Sequence, residues 1–321
     1  MNVYLALVLV AALPAAAIAQ PERPSDVSTP QPMEPRSAPE MDGHMFAPSL
    51  LVDTPFRTTT FKLGILYGFG HATGPQYDAS GNVVGQADYT FAAFAQVFRY
   101  EYRFLEWLSA GLSFLTSLYS GIDGPSIVSI GANIGIGLGA RVKAGHRFGP
   151  VQTAFIVDAS TTPEYGILVA APILKAIQDH VIDASSALQA THSLTVSPLL
   201  AASWAPWPAL GLTANAGYVF RSLRLSGTNI ADQNGIVLAV LGDVDFKKIS
   251  SVPIGLNAGY KLTTPLGSGG VTRIDDISGG IFYTGRRELG LGLEMGWRSF
   301  SIRPPIDSQG VLIQLELQYY W

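Results

Sequence analysis

The chain has 321 residues, a net charge of −4, only 14% charged residues and no cysteine. This balance carries no basic footprint for nucleic acid, and without cysteine there is no disulfide framework, thiolate metal site or lipid-anchored cysteine. A mean hydropathy of +0.27 is apolar for a soluble protein of this length.

Residues 1–19 (MNVYLALVLVAALPAAAIA) read as a secretory signal peptide. Leu5 to Leu13 form an apolar core, and Ala17-Ile18-Ala19 supplies a cleavage site before Gln20. The segment lacks the usual Lys or Arg near Met1, but its apolar stretch is shorter than the ~20 residues a spanning helix needs. Residues 20–56 read as a proline-rich linker, with Pro21, Pro24, Pro30, Pro32, Pro35, Pro39, Pro48 and Pro55 and little periodicity. Such a composition buries too little surface to offset its ordering entropy, which predicts a disordered tether.

From Arg57 the chain reads as twelve amphipathic strands, over 57–71, 87–104, 107–119, 126–144, 150–160, 191–205, 209–223, 234–246, 252–263, 276–285, 288–302 and 310–321. Ten or fourteen would also accommodate the pattern if one strand is merged or split. In 126–144, Val128, Ile130, Ala132, Ile134, Ile136, Leu138, Ala140 and Val142 fall on one parity. Ser129, Gly131, Asn133, Gly135, Gly137, Gly139, Arg141 and Lys143 fall on the other. Period-two alternation puts these rows on opposite faces of a strand. The same period, with its many glycines, argues against a transmembrane helix over Gly124–Ala140. Connections are short near Leu105-Glu106, Gly145–Gly149, Ala205–Pro208, Lys247–Ser251 and Arg286-Arg287. They are longer near 72–86, 161–190, 224–233 and 264–275. Within the longest, Ile173, Ile177, Val181, Ala184 and Leu188 follow helical spacing behind Pro172, predicting a helix over 172–188.

The chain closes on VLIQLELQYYW, with Val311, Ile313, Leu315, Leu317, Tyr319 and Trp321 on one parity and a largely polar row on the other. This ending resembles the closing strand of Gram-negative outer-membrane β-barrel proteins, with Tyr319 and Trp321 as the aromatic assembly signal. The resemblance is one of architecture and covers 57–321. It implies an all-β fold: a transmembrane antiparallel up-and-down β-barrel of about twelve strands, inserted by the barrel-assembly machinery and surrounded by outer-membrane lipid. The short-and-long loop pattern places both termini in the periplasm. A secreted β-sandwich alternates in the same way; the aromatic end and the loop asymmetry favour the barrel.

A charge facing lipid near the midplane costs about 2–4 kcal/mol, so charged side chains are expected in the lumen. The basic set is Lys62, Arg99, Arg103, Arg141, Lys143, Arg221, Lys261 and Arg298; the acidic set is Glu101, Asp158, Asp243, Asp245, Glu288, Glu294 and Glu316. Basic residues gather on the second and fourth strands, acidic ones on the eighth, eleventh and twelfth. The arrangement gives either a transverse field across an open lumen or mutual pairing in a filled one. Gly135, Gly137 and Gly139 remove bulk from one wall, leaving room for solute, a loop or the amino-terminal segment.

Signals for chemistry are weak. His71, His180 and His192 are expected at the outer end with Asp158 and Glu164, but no nucleophile motif accompanies them. Met41, His44 and Met45 form a poor soft-metal set. No catalytic residue, metal or cofactor is expected. The leading functional reading is a passive channel for small polar or amphipathic solutes. The alternative is a structural or anchoring component of a surface or trans-envelope machine, meeting a protein partner through 20–56 or 161–190. A rim hydrolase comes third.

Overall fold

The computed structural model describes residues 38–77, 83–123, 129–168, 188–225, 228–266, 271–302 and 306–321. The signal peptide, residues 20–37 of the linker and the helix predicted over 172–188, apart from Leu188, lie outside the described residues.

Twelve strands form a closed barrel: β3 (Thr60–Tyr77), β4 (Val83–Leu105), β5 (Leu108–Asp123), β6 (Ser129–Phe148), β7 (Val151–Leu168), β8 (Leu188–Trp207), β9 (Leu210–Leu225), β10 (Thr228–Asp245), β11 (Ile254–Leu266), β12 (Val271–Tyr283), β13 (Leu289–Ile302) and β14 (Ile306–Tyr320). Each pairs antiparallel with its neighbour in sequence. The ring closes where β14 meets β3, from Tyr320↔Thr60 to Asp307↔Thr73. Closure leaves no barrel edge with unpaired backbone groups, which is the condition for a sheet to cross a bilayer. The strand number agrees with the twelve read from alternation. The strands themselves run further than predicted: β4 has 23 residues, well beyond the ~9–11 that cross the hydrocarbon. The excess lies at the long-loop end, where the antiparallel ribbons keep pairing beyond the apolar band.

The outward face is apolar. On β6, Ile134, Ile136, Leu138 and Val142 are exposed; on β13, Leu291, Leu293, Met295 and Trp297; on β14, Val311, Leu315, Leu317 and Tyr319. Phe104, Trp107, Phe148, Trp204, Trp207 and Trp321 form an exposed aromatic band at the end where the turns are short. Aromatic girdles of this kind sit at a bilayer interface. The strand ends Thr60 and Tyr320 share that end, as does the single helical turn α1 (Lys247–Ser250) between β10 and β11.

Inside, the buried apolar contacts join the wall to the segment preceding β3. Met41, Phe46 and Phe56 cluster with Ala205, and Leu51 and Val52 with Ala239 and Leu241. Residues 38–59 are therefore packed within the barrel. The tether expected over 20–56 is corrected for its described part: the segment gains enough wall contact to fix it.

Candidate functional site

The inserted segment begins with a hairpin, β1 (Glu40–Met41) paired to β2 (His44–Met45). Its two turn residues are left-handed, Asp42 at φ 52 and Gly43 at φ 82. Two positive φ angles define a type I′ turn, and Asp-Gly suits it because neither residue is penalised heavily there. Ion pairs hold the hairpin at the short-turn rim, Glu40 with Arg287 at 3.2 Å and Asp42 with Arg147 at 2.7 Å.

From the second strand of the hairpin onward the path meets polar partners on the wall at intervals. His44 is fully buried; its Nδ1 lies 3.2 Å from the Pro208 carbonyl and its Nε2 meets the Asp243 carboxylate. The Pro48 carbonyl accepts from Asn257 Nδ2 at 3.0 Å, and the Leu50 amide donates to Glu294 Oε2 at 2.6 Å. Residue 53 is clamped by Asn215, whose Oδ1 accepts from the Asp53 amide at 2.7 Å and whose Nδ2 donates to the Asp53 carbonyl at 2.8 Å. The chain then returns to the rim. Lys143 Nζ donates to the Phe56 carbonyl at 2.8 Å, and the Trp321 amide donates to the Thr59 carbonyl at 3.2 Å, next to the start of β3. These partners lie on β6, β9, β10, β11 and β13, so the loop spans the lumen from wall to wall.

The tip reaches the middle of the barrel. There Arg141 directs Nε and Nη2 to the two oxygens of Asp158, both at 2.6 Å, and Nη1 to Asp53 Oδ1 at 2.6 Å. Arg99 lies 3.8 Å from the same Asp53 oxygen. Partial burial alone would raise the Asp53 carboxyl, but the guanidiniums of Arg141 and Arg99 outweigh it and hold it far below the usual carboxylate range. On the opposite side Asp276 takes Arg298 at 2.5 Å and faces Lys261 across the strand pair. Around this level burial is mixed: Arg99 is 25% exposed, Asp158 30%, Asp53 33% and Arg298 45%, whereas Arg141 and Asp276 are buried. Toward the short turns they are dry; Glu101, Lys143, Asp243, Asp245, Glu294 and Glu316 are all buried. Accessible side chains thus persist at mid-barrel and give way to buried ones toward the short turns.

Most charged residues expected in the lumen are drawn into local pairs. Lys62 pairs with Glu316 at 2.5 Å and Lys143 with Glu101 at 3.3 Å, with Ser109 Oγ also donating to Glu101 at 2.6 Å. Asp245 accepts from the Lys247 amide at 3.0 Å, and the Arg103 amide donates to Thr59 Oγ1 at 3.2 Å. Arg221 is exposed on the same parity of β9 as buried Thr213 and Asn215. Glu288 is exposed in the turn before β13, at the short-turn mouth beside the hairpin, and its carbonyl accepts from the Tyr320 amide at 2.9 Å. Tyr319 and Trp321 face outward, and Trp321 stacks on Tyr100 with ring centroids 5.8 Å apart.

Three contributors escape the sequence reading. Asp53 and His44 fall in the linker, and Asp276, at the start of the strand expected over 276–285, lies well inside β12, where only the register reveals its partners. The hairpin had a signal, the Asp-Gly pair at 42–43. The glycines that admit the loop also differ from those expected. A Cβ at Gly292 would lie 3.2 Å from Pro48, at Gly259 3.7 Å from Leu51, and at Gly296 3.6 Å from Leu50. Gly137 instead admits Thr162 and Leu115, and Gly139 admits Ser113 and Ser160.

The remaining histidines form no acid–base constellation among the described residues. His192 Nε2 is 2.7 Å from Thr161 Oγ1, and His71 Nε2 is 2.9 Å from Gln309. His146 packs edge-on to Phe148, and His180 lies outside the described residues. No group of three metal-ligating side chains occurs among the described residues.

The architecture is that of bacterial outer-membrane β-barrels. The transport unit of the autotransporter AIDA-I from Escherichia coli superposes with a TM-score of 0.54 at 10% identity, covering 85% of this chain and 94% of that one. The translocator domain of the autotransporter NalP from Neisseria meningitidis gives 0.53 at 9% identity, covering 82% and 89%. The β domain of the Bordetella autotransporter BrkA gives 0.50 at 9% identity, covering 82% and 100%. At these identities the likeness is one of fold. No protein-family model and no curated protein matches the sequence.

Proposed function

We propose that this protein is a gated outer-membrane channel for small polar or amphipathic solutes, closed in the present conformation by its own residues 38–59. The short-turn end, with both chain termini, faces the periplasm. Solute enters from the outer mouth, reaches the hydrated charged level at mid-barrel, and passes only when the loop leaves the wall. This replaces an always-open passive pore with one that must be unlocked.

The observation that carries the reading is the way the loop is held. Its contacts are largely hydrogen bonds and ion pairs to a polar wall, and each such bond has a net worth of about 0.5–1.5 kcal/mol because water competes for the same groups. Groups of that kind can be rehydrated when the loop moves, whereas an interior filled by apolar side chains would have no comparable open state.

The test is single-channel recording of the refolded chain from Gln20 in planar bilayers, beside a variant lacking residues 38–56. The expected result is rare, brief openings for the full chain and steady, salt-dependent conductance for the deletion. Heat-modifiable electrophoretic mobility checks that both barrels are folded. A folded deletion variant that stays silent would remove the channel reading and favour the anchoring role.

A further inference from the structure

The Asp53 carboxylate sits in surroundings built for an anion. Asn215 holds its main chain through two hydrogen bonds, which directs the side chain at Arg141 and Arg99, so the ion pair and the Asn215 clamp together fix the tip of the loop. Arg141 keeps two of its nitrogens on Asp158 and still has Nη1 for Asp53. The Arg99 guanidinium stands at 3.8 Å from the same oxygen, outside hydrogen-bond range, with space to tighten on a differently placed carboxylate.

Charge at this level points the same way. The wall supplies four cations, Arg99, Arg141, Lys261 and Arg298, against two carboxylates, Asp158 and Asp276. Lys261 forms no hydrogen bond or ion pair with a described residue and stands opposite Asp276 in the β11–β12 register. Without the Asp53 side chain the level would carry an excess of two positive charges in a partly hydrated lumen. A guanidinium fork is matched to a planar carboxylate, and its charge-assisted bonds are about twice as strong as neutral ones.

We propose that Asp53 occupies a carboxylate-binding site of the lumen as a tethered ligand, and that a small free carboxylate displaces it from Arg141 and Arg99 to unlock the loop. The inference rests on the gated-channel reading and names its solute class. The same cations would then hold a passing carboxylate at mid-barrel. A tethered group competes at an effective concentration on the order of mM. The clamp at Asn215 raises that figure, so a free carboxylate is tried from tens of mM upward.

Acetate reproduces the terminal atoms of the Asp side chain and is the probe. Opening frequency is recorded in sodium acetate and in sodium chloride at equal ionic strength, for the full chain, Asp53→Asn, Arg99→Gln and the 38–56 deletion. The full chain is expected to open several-fold more often in acetate. Asp53→Asn is expected to open often in both salts, and Arg99→Gln to lose most of the acetate response while keeping its folded mobility. Equal opening of the full chain in the two salts, with a conducting deletion variant, would overturn the carboxylate site and leave the channel. Silence of the deletion variant would overturn both.

Discussion

Replacing His44 with Ala should release the loop, and the size of the effect follows from where the ring sits. His44 and Asp243 are both fully buried, and the second Asp243 oxygen has no hydrogen-bond partner among the described residues. Removing the imidazole strands a buried carboxylate, which costs about 3–5 kcal/mol when one partner of a buried pair is lost. It also removes the edge-on contact with Phe46 at 4.8 Å, worth about 0.5–1.5 kcal/mol. Undocking lets water reach Asp243 and relieves that cost, so the penalty appears as loop release rather than barrel unfolding. At about 1.4 kcal/mol per tenfold, the lower figure raises the released fraction on the order of 100-fold. Amide hydrogen exchange is the assay, at the Phe46 amide, which donates to the Pro39 carbonyl at 2.8 Å. The double variant His44→Ala/Asp243→Ala should lose less than the sum of the singles, because the stranded charge is gone. Protection at Phe46 within twofold of the parent in His44→Ala would refute the reasoning.

Other perturbations probe separate parts of the structure. Gly211→Ala should also open the pore, since its Cβ would meet His44 Cδ2 at 2.6 Å and Asp243 Oδ1 at 3.0 Å; conductance higher than the parent with normal folded mobility is the expected result. The Asp53 latch should be indifferent to mild acid. Its carboxyl is held below the ordinary value, so its stabilisation is fully present above about pH 4 and is lost only as the pH falls through the depressed value. Opening frequency should match at pH 7 and pH 5, and a steep rise at pH 5 would place an acid-sensitive latch elsewhere. Deleting Trp321 removes the stack on Tyr100 and the amide bond to Thr59, and should lower the folded yield in outer membranes, read by heat-modifiable mobility.

The barrel was legible because it depends on one repeated property. Alternation such as Ile134, Ile136, Leu138 against Gly135, Gly137, Gly139 is local, and lipid on one face enforces it strand after strand. The loop was not legible for the opposite reason. Residues 38–59 have no periodicity, and their fixation depends on groups far away in the chain: Leu50 on Glu294, Asp53 on Asn215 and Arg141, Phe56 on Lys143. Apart from the short hairpin, the proline-rich segment forms no strand among its described residues, yet that does not imply freedom when a polar wall surrounds it. Charge patterning suggested which side chains to expect inside, but not how they would pair. Lys62 with Glu316 and Arg298 with Asp276 follow from register between strands, and that register appears only once the ring is closed. Asp42-Gly43 was the one local sign of order in the linker.

The central claim is that residues 38–59 close the lumen, and a cysteine pair tests it most directly. The native chain has none, so the background is clean. A Cβ on residue 43 would lie 3.6 Å from Pro208 Cβ, inside the range of about 3.5–4.5 Å that a disulfide needs. Gly43→Cys/Pro208→Cys should therefore crosslink under oxidation in the folded protein, at a modest strain from the left-handed backbone at 43. The prediction is a silent channel when oxidised and recovery of openings in the same bilayer when reductant is added. A crosslinked barrel that conducts as freely as its reduced form would contradict closure by this segment.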